Sequence, residues 1–236
     1  MVKGTCLITG SSSGVGRAAA VKFLENGYRV FGLDISESTI EHDYYEHYIC
    51  DVSSAETLPE LSGINYIVNN AGIVTPQREA IKVNLEGYIN IIEKYGKDPE
   101  LKSLVQIGST ASFKGYDNIR YCASQGGRDA LTKWAALNLG KDPRHVIVNS
   151  LNLDGIVPAV DGGTGTNLEP ALYEAEGLID QIRELSILDK LATVEEIAEW
   201  IYFILVINTV MTGQILSIDG ELTKAFNFIE YPGWQD

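Results

Sequence analysis

Short apolar runs alternate with longer amphipathic segments along most of the chain. Seven runs stand out: Cys6-Leu7-Ile8, Tyr28–Leu33, Tyr48-Ile49-Cys50, Tyr66-Ile67-Val68, Leu104–Ile107, Val146–Leu151 and Ile215–Ile218. Between them, apolar residues recur three or four apart and predict helices over Val15–Asn26, Ala80–Lys94, Tyr121–Leu139 and Val194–Val206. Gly27 closes the first helix, as glycine commonly does. Near-continuous apolar runs suit strands buried on both faces, and their alternation with helices predicts a parallel α/β sheet covered on two sides. No repeat, low-complexity tract or charged linker divides the chain. One domain over residues 1–236 is expected, with an aromatic tail from about 222 to 236.

Charge narrows the partners. The 236 residues carry 32 acidic and 18 basic side chains, a net charge of −14. A nucleic-acid binder needs a basic face and a peripheral membrane protein a polybasic patch, so neither partner is expected. The most apolar stretch, Ile201–Val206, is far short of the ~20 residues of a membrane span. The N-terminus lacks the apolar core of a signal peptide. Cys6, Cys50 and Cys122 show no paired spacing, which fits reduced thiols and a cytoplasmic location. The three histidines lack metal-ligand spacing, and no metal site is expected.

The first candidate chemistry is Thr9-Gly10-Ser11-Ser12-Ser13-Gly14-Val15-Gly16, between the first strand and the first helix. Glycines there let the backbone turn tightly and approach a pyrophosphate, whose charge then faces the helix N-terminus. Asp34 ends the next strand, 24 residues after Gly10. That interval suits the carboxylate that accepts both hydroxyls of an adenosine ribose, and its charge repels a 2′-phosphate. The pattern therefore predicts NAD rather than NADP.

Further motifs follow in order. They are Cys50-Asp51-Val52, Asn69-Asn70-Ala71-Gly72, Val83-Asn84, Gly108-Ser109, Tyr121-Cys122-Ala123-Ser124, Val148-Asn149-Ser150, Thr212-Gly213-Gln214 and Asp219-Gly220. With the glycine spacing above, they make the sequence resemble the short-chain dehydrogenase/reductase family over nearly its whole length. The resemblance implies a Rossmann-like doubly wound sheet of about seven strands. It implies hydride transfer between NAD(H) and a small-molecule carbonyl or alcohol. It assigns Tyr121 as general acid/base, Ser109 as the hydrogen-bond partner of the substrate oxygen, and Asn84 as holder of a relay water. The implied cofactor-binding set is Gly10, Ser12, Ser13, Gly14, Val15, Gly16, Asp34, Asp51, Val52, Asn70, Ala71 and Gly72, with Tyr121, Gln125 and Ile156 at the nicotinamide end. A homotetramer or homodimer is implied as well, paired through helices such as Tyr121–Leu139.

Three departures from the family pattern fall in the nicotinamide half. The family reads Tyr-x-x-x-Lys, and position 125 here is Gln125. Residues i and i+4 share a helix face, so an amide stands where a cation belongs. A free tyrosine has a pKa near ~10, and a cation ~4 Å away at an effective dielectric of ~20 is worth up to ~4 kcal/mol. Tyr121 is therefore expected to be a poor base, and Gln125→Lys to raise activity. Leu153-Asp154 replaces Pro-Gly after the sixth strand, with Pro158 near the position of a threonine. Asp154 would bring negative charge to the nicotinamide if it points inward; an outward orientation is the alternative. Finally, Asn84 follows Gly72 by only 12 positions, so a trimmed helix is expected there.

Two functions stay open. One is a working NAD-dependent reductase or dehydrogenase with impaired proton transfer. The other is an NAD-binding protein with weakened or lost chemistry, by nature or through an engineered lysine-to-glutamine change. Substrate contacts are expected from Ser112–Ile119, from Ile156–Leu168, whose Asp161–Thr166 stretch suits a lid, and from the tail.

Overall fold

The computed structural model describes residues 1–154, 156–157, 180, 183–184 and 186–220. The expected lid at Asp161–Thr166, Pro158 and the tail from 222 to 236 lie outside the described residues. Strands β1 (Thr5–Thr9), β2 (Arg29–Asp34), β3 (Tyr45–Ile49), β4 (Tyr66–Asn69), β5 (Ser103–Ser109), β6 (Ile147–Leu153) and β9 (Ile215–Ile218) form one parallel sheet in the order β3-β2-β1-β4-β5-β6-β9. Two short strands, β7 (Ile156–Val157) and β8 (Ala192–Thr193), pair with each other beside it. The strand order reverses between β1 and β4. That switch leaves a crevice at the carboxyl edge of the sheet, the usual ligand site of a doubly wound fold.

Helices cover both faces, as the apolar runs require. Helix α1 (Gly14–Glu25) and α5 (Val194–Tyr202) close one face, where Phe23, Ile197 and Ile201 pack on Ile8, Val68 and Val105. The other face carries α2 (Gly87–Tyr95) and α4 (Ile119–Gly140). There Ile91, Tyr95 and Ala135 meet Leu7, Ile67 and Leu104. A four-residue helix, α3 (Ala111–Lys114), links β5 to α4.

The expected seven-strand sheet is present, with shifted boundaries. The third strand lies at Tyr45–Ile49 rather than Tyr48–Cys50. It is an edge strand with no fully buried residue, so its apolar signal is weak. Strand β6 runs two residues past Leu151 because buried, polar Asn152 finds side-chain partners. Its Nδ2 donates to Ser112 Oγ (3.0 Å) and Asp129 Oδ1 (3.1 Å), and its Oδ1 accepts from Ser150 Oγ (2.9 Å). The helix expected over Ala80–Lys94 opens with a widened π-turn, Lys82–Glu86, before α2. That turn contains Asn84.

Candidate active site

The crevice is built first by the turn between β1 and α1. Gly10 and Gly14 adopt φ of +70° and +52°, conformations that cost a side chain energy. A β-carbon at Gly16 would stand 2.1 Å from the Gly10 carbonyl oxygen, so the turn folds directly onto the helix. Ser13 caps α1 from an extended conformation, and Val15 is buried beneath the first turn. The α1 N-terminus therefore presents backbone N–H groups at the crevice.

Two neighbours fix this turn. The hydroxyl oxygen of buried Thr9 accepts from the backbone N–H groups of Asn70 and Ala71, both at 2.9 Å. Asn70 Nδ2 donates back to the Thr9 carbonyl at 2.9 Å. The ends of β1 and β4 are thus pinned together. On the other side, Asp34 Oδ2 accepts from Ser12 N–H and Oδ1 from Ser36 N–H, each at 3.0 Å. Those bonds orient the carboxylate and leave each oxygen further acceptor capacity. Asp51 Oδ1 accepts from Ser53 N–H (2.9 Å), and Val52 is buried against Gly87.

The opposite half gathers around α4. Ser109 ends β5, and its Oγ accepts from Ala111 N–H at 3.2 Å. Tyr121 sits in the first turn of α4. Buried Asn118 caps that turn by accepting from Tyr121 N–H at 2.9 Å, and its Nδ2 donates to the Val74 carbonyl. The ring of Tyr116 packs 5.9 Å from that of Tyr121. Asn84 is fully buried and brackets Ile73, accepting from its N–H at 2.8 Å and donating to its carbonyl at 2.7 Å. It also donates to Ser124 Oγ at 3.3 Å.

Gln125 is fully buried on the same helix face. Its Oε1 accepts from Arg128 Nη1 at 3.1 Å, while its Nε2 has no partner among the described residues. A buried amide donor left unpaired costs about 1–3 kcal/mol, so this N–H group is suited to a hydroxyl of a bound cofactor. The glycine turn fits the pyrophosphate of a dinucleotide, and this unpaired donor suits a hydroxyl of such a ligand.

Arg128 is the residue that sequence reasoning missed. It is buried and bonded on every side. Nε donates to the Asn84 carbonyl (2.6 Å), Nη1 to the Ile107 carbonyl (2.8 Å), and Nη2 to the Ala71 carbonyl (3.4 Å). Its guanidinium stacks 3.8 Å from the centre of the Tyr88 ring. Tyr88 Oη donates to the same Ile107 carbonyl at 2.8 Å. Burial lowers the arginine pKa, and the phenols of Tyr88 and Tyr121 and the carboxylate of Asp129 act against that shift. Gly72 must be glycine here, because a β-carbon would lie 2.9 Å from Arg128 Nη2 and 3.1 Å from Asn84 Oδ1. The available signal was a charged residue within the buried stripe Ser124, Gln125, Arg128, Thr132 and Ala135.

Asp154 resolves to the neutralised orientation. Its Oδ2 accepts from Lys114 Nζ and Thr110 Oγ1, both at 2.7 Å. Ile156 belongs to β7 and pairs with Ala192. Its side chain lies outside the described residues.

Comparison with known proteins places the chain in a family. A family model described as short chain dehydrogenase matches residues 4–164. The chain is 28% identical over 239 residues to the L-xylulose reductase of Mus musculus, covering 91% of this chain and 94% of that one. Its fold is similar to a Beutenbergia cavernae structure described as an NAD(P)-dependent gluconate 5-dehydrogenase with NADP bound at low occupancy. The TM-score is 0.80 and identity 23%, over 95% of this chain and 98% of that one. It is similar also to the 3-ketoacyl-(acyl-carrier-protein) reductase of Brucella melitensis complexed with NADH, with TM-score 0.74 and 21% identity over 94% and 99%. The seven-strand parallel sheet agrees with these matches, and the chain belongs to the short-chain dehydrogenase family.

Proposed function

We propose that the protein is an NAD(H)-dependent oxidoreductase that interconverts a small-molecule carbonyl and the corresponding secondary alcohol. The observation that carries this reading is one shared edge of the sheet. The glycine turn, the oriented Asp34 carboxylate, Ser109 at the end of β5 and Tyr121 in the first turn of α4 all lie at its carboxyl side.

NAD, when bound, supplies the hydride donor or acceptor. The chain supplies the rest. The α1 N-terminus and Gly10–Gly16 take the pyrophosphate. Asp34 accepts from the ribose hydroxyls, and its charge favours NAD over a 2′-phosphorylated cofactor. Asp51 and Val52 flank the adenine, while Asn70, Ala71 and Gly72 form the floor below the ribose. Gln125 Nε2 donates to the second ribose. Ser109 Oγ accepts from Ala111 N–H, so its own hydrogen is available to the substrate oxygen. Tyr121 gives that oxygen a proton during reduction and removes it during oxidation.

The second reading is an NAD-binding protein of weakened chemistry, and Gln125 is the observation in its favour. Stopped-flow oxidation of NADH against a panel of ketoses, diketones and 3-oxoacyl thioesters separates the two. Turnover abolished by Tyr121→Phe supports the enzyme. NADH binding with no turnover on any carbonyl overturns it. The reading includes a cytoplasmic homodimer or homotetramer. It is supported by Trp134 and Leu137, which are more than half exposed on α4, and by three free cysteines.

A further inference from the structure

We propose that Arg128, less than one turn beyond position 125 on α4, supplies the positive charge that the family's Tyr-x-x-x-Lys pattern carries there, and that it holds the Gln125 amide with Nε2 turned away from the guanidinium and left for the cofactor. The inference rests on the oxidoreductase reading for its purpose, and on the ligand-free protein for its evidence.

The geometry is that of one helix stripe. Tyr121, Gln125 and Arg128 fall at i, i+4 and i+7, which α-helical periodicity places on one face. An arginine has five N–H donors and no acceptor. Only the amide oxygen of Gln125 can meet it, and this fixes the amide with its nitrogen on the far side. The 3.1 Å contact to Oε1 is therefore a directional constraint. The same guanidinium takes the Asn84 carbonyl at 2.6 Å, in the π-turn whose widened ring leaves that oxygen accessible. The charge is thus placed between Asn84, Gln125 and Ala71, three positions of the expected site.

Such a charge acts at a distance. Seven residues of helix rise about 10 Å. At an effective dielectric of ~20 that separation moves a phenol by roughly one pH unit. Among the described residues, three groups bear on the pair. Tyr88 faces Arg128 from α2, Asp129 faces it from its own helix, and Tyr116 packs on the Tyr121 ring. Asp129 also accepts from Asn152 Nδ2, on the β6 side of α4. Arg128 is accordingly a positioning residue, acting through Gln125 and through its field at Tyr121.

The test is titration of Tyr121 in the protein without cofactor. Tyrosine labelled with 13C at the ring Cζ gives its signal by difference from Tyr121→Phe. The wild-type midpoint is expected below the free value of ~10. Arg128→Gln, neutral but still a donor to the carbonyls, raises it by about one pH unit or more. Arg128→Lys, charged but without the fork, leaves it within about half a unit of wild type. A wild-type midpoint at or above that of free tyrosine overturns the inference with no variant needed. So does equal behaviour of Arg128→Gln and Arg128→Lys. The amide is tested separately by NADH fluorescence, where Gln125→Met weakens binding about tenfold. Unchanged affinity removes Gln125 from the proposal. Failure of wild type to bind or oxidise NADH overturns the oxidoreductase reading, and the titration still judges the role of Arg128.

Discussion

Lys114 Nζ and Asp154 Oδ2 stand 2.7 Å apart, with side-chain exposures of 9% and 15%. The pair ties α3 to the end of β6 beside the active-site edge, and it cancels the charge that Asp154 would bring to a nicotinamide ring. Burial pulls the lysine pKa down, and Asp154 and then Asp219 act against that shift. Removing one partner of such a partly buried pair leaves a charge-assisted hydrogen bond unmade and costs about 1–3 kcal/mol. We expect Lys114→Met to lower stability by that amount in urea unfolding. Asp154→Asn should cost less, because Asp219 still faces the lysine. Equal losses would show that Asp219 contributes nothing.

Gln125→Lys, the change that sequence logic favours for activity, is expected to fail alone. It would place an ammonium beside the buried Arg128 guanidinium, where like charges ~4 Å apart at an effective dielectric of ~20 repel by up to ~4 kcal/mol. The variant should unfold at least several degrees below wild type in calorimetry. The double variant with Arg128→Met should recover only the part due to repulsion, because the Ala71 and Asn84 carbonyls lose their donor. A Gln125→Lys single variant as stable as wild type would contradict the packing described here.

Much of the fold was legible because the central strands are continuous apolar runs, such as Leu104–Ile107, and burial on both faces leaves little room for ambiguity. The edge strand Tyr45–Ile49 was misplaced because its residues answer to solvent as much as to the core. Gly10–Gly16, Ser109 and Tyr121 were legible as motifs with fixed chain spacing. Arg128 was not, since its meaning lies in carbonyls of Ala71, Asn84 and Ile107, which only the tertiary fold assembles around one side chain. Asp154 was ambiguous for the same reason, its partner Lys114 lying forty residues earlier in the chain.

Cofactor choice is testable at Asp34. Its carboxylate is held by Ser12 and Ser36 N–H groups at 3.0 Å. Replacing it by alanine should weaken NADH binding about tenfold, the worth of a charge-assisted hydrogen bond, and should improve NADPH relative to NADH. Titration of both nucleotides by fluorescence reads the ratio. An unchanged ratio would remove Asp34 from cofactor selection.

Acid should loosen α5 from its N-terminal end. Thr193 and Glu196 form a reciprocal capping box, and Lys190 pairs with the same glutamate. Hydrogen bonding from Lys190, then from the Thr193 N–H, holds the Glu196 pKa below the ordinary carboxylate range. A carboxyl depressed on folding stabilises the protein above its unfolded pKa, and this stabilisation disappears as pH falls through the folded value. Glu196→Gln should therefore be less stable than wild type at pH 7, by under about 1 kcal/mol given its solvent screening. The two proteins should converge in thermal melts well below pH 4.5. A constant difference across that range would assign the effect to packing.

The carbonyl contacts of Arg128 also bear on how such a site can change over generations. Lysine at 125 and arginine at 128 are each acceptable only in the absence of the other. Glutamine at 125 with an apolar residue at 128 takes the guanidinium from the Ala71 and Asn84 carbonyls, while Ile107 keeps the Tyr88 hydroxyl. A lineage can pass between the two arrangements only through an intermediate that is less stable than either, and the surrounding core has to tolerate it. Position 125 is therefore not free to revert alone, and relatives that carry one arrangement are poor guides to single substitutions in the other.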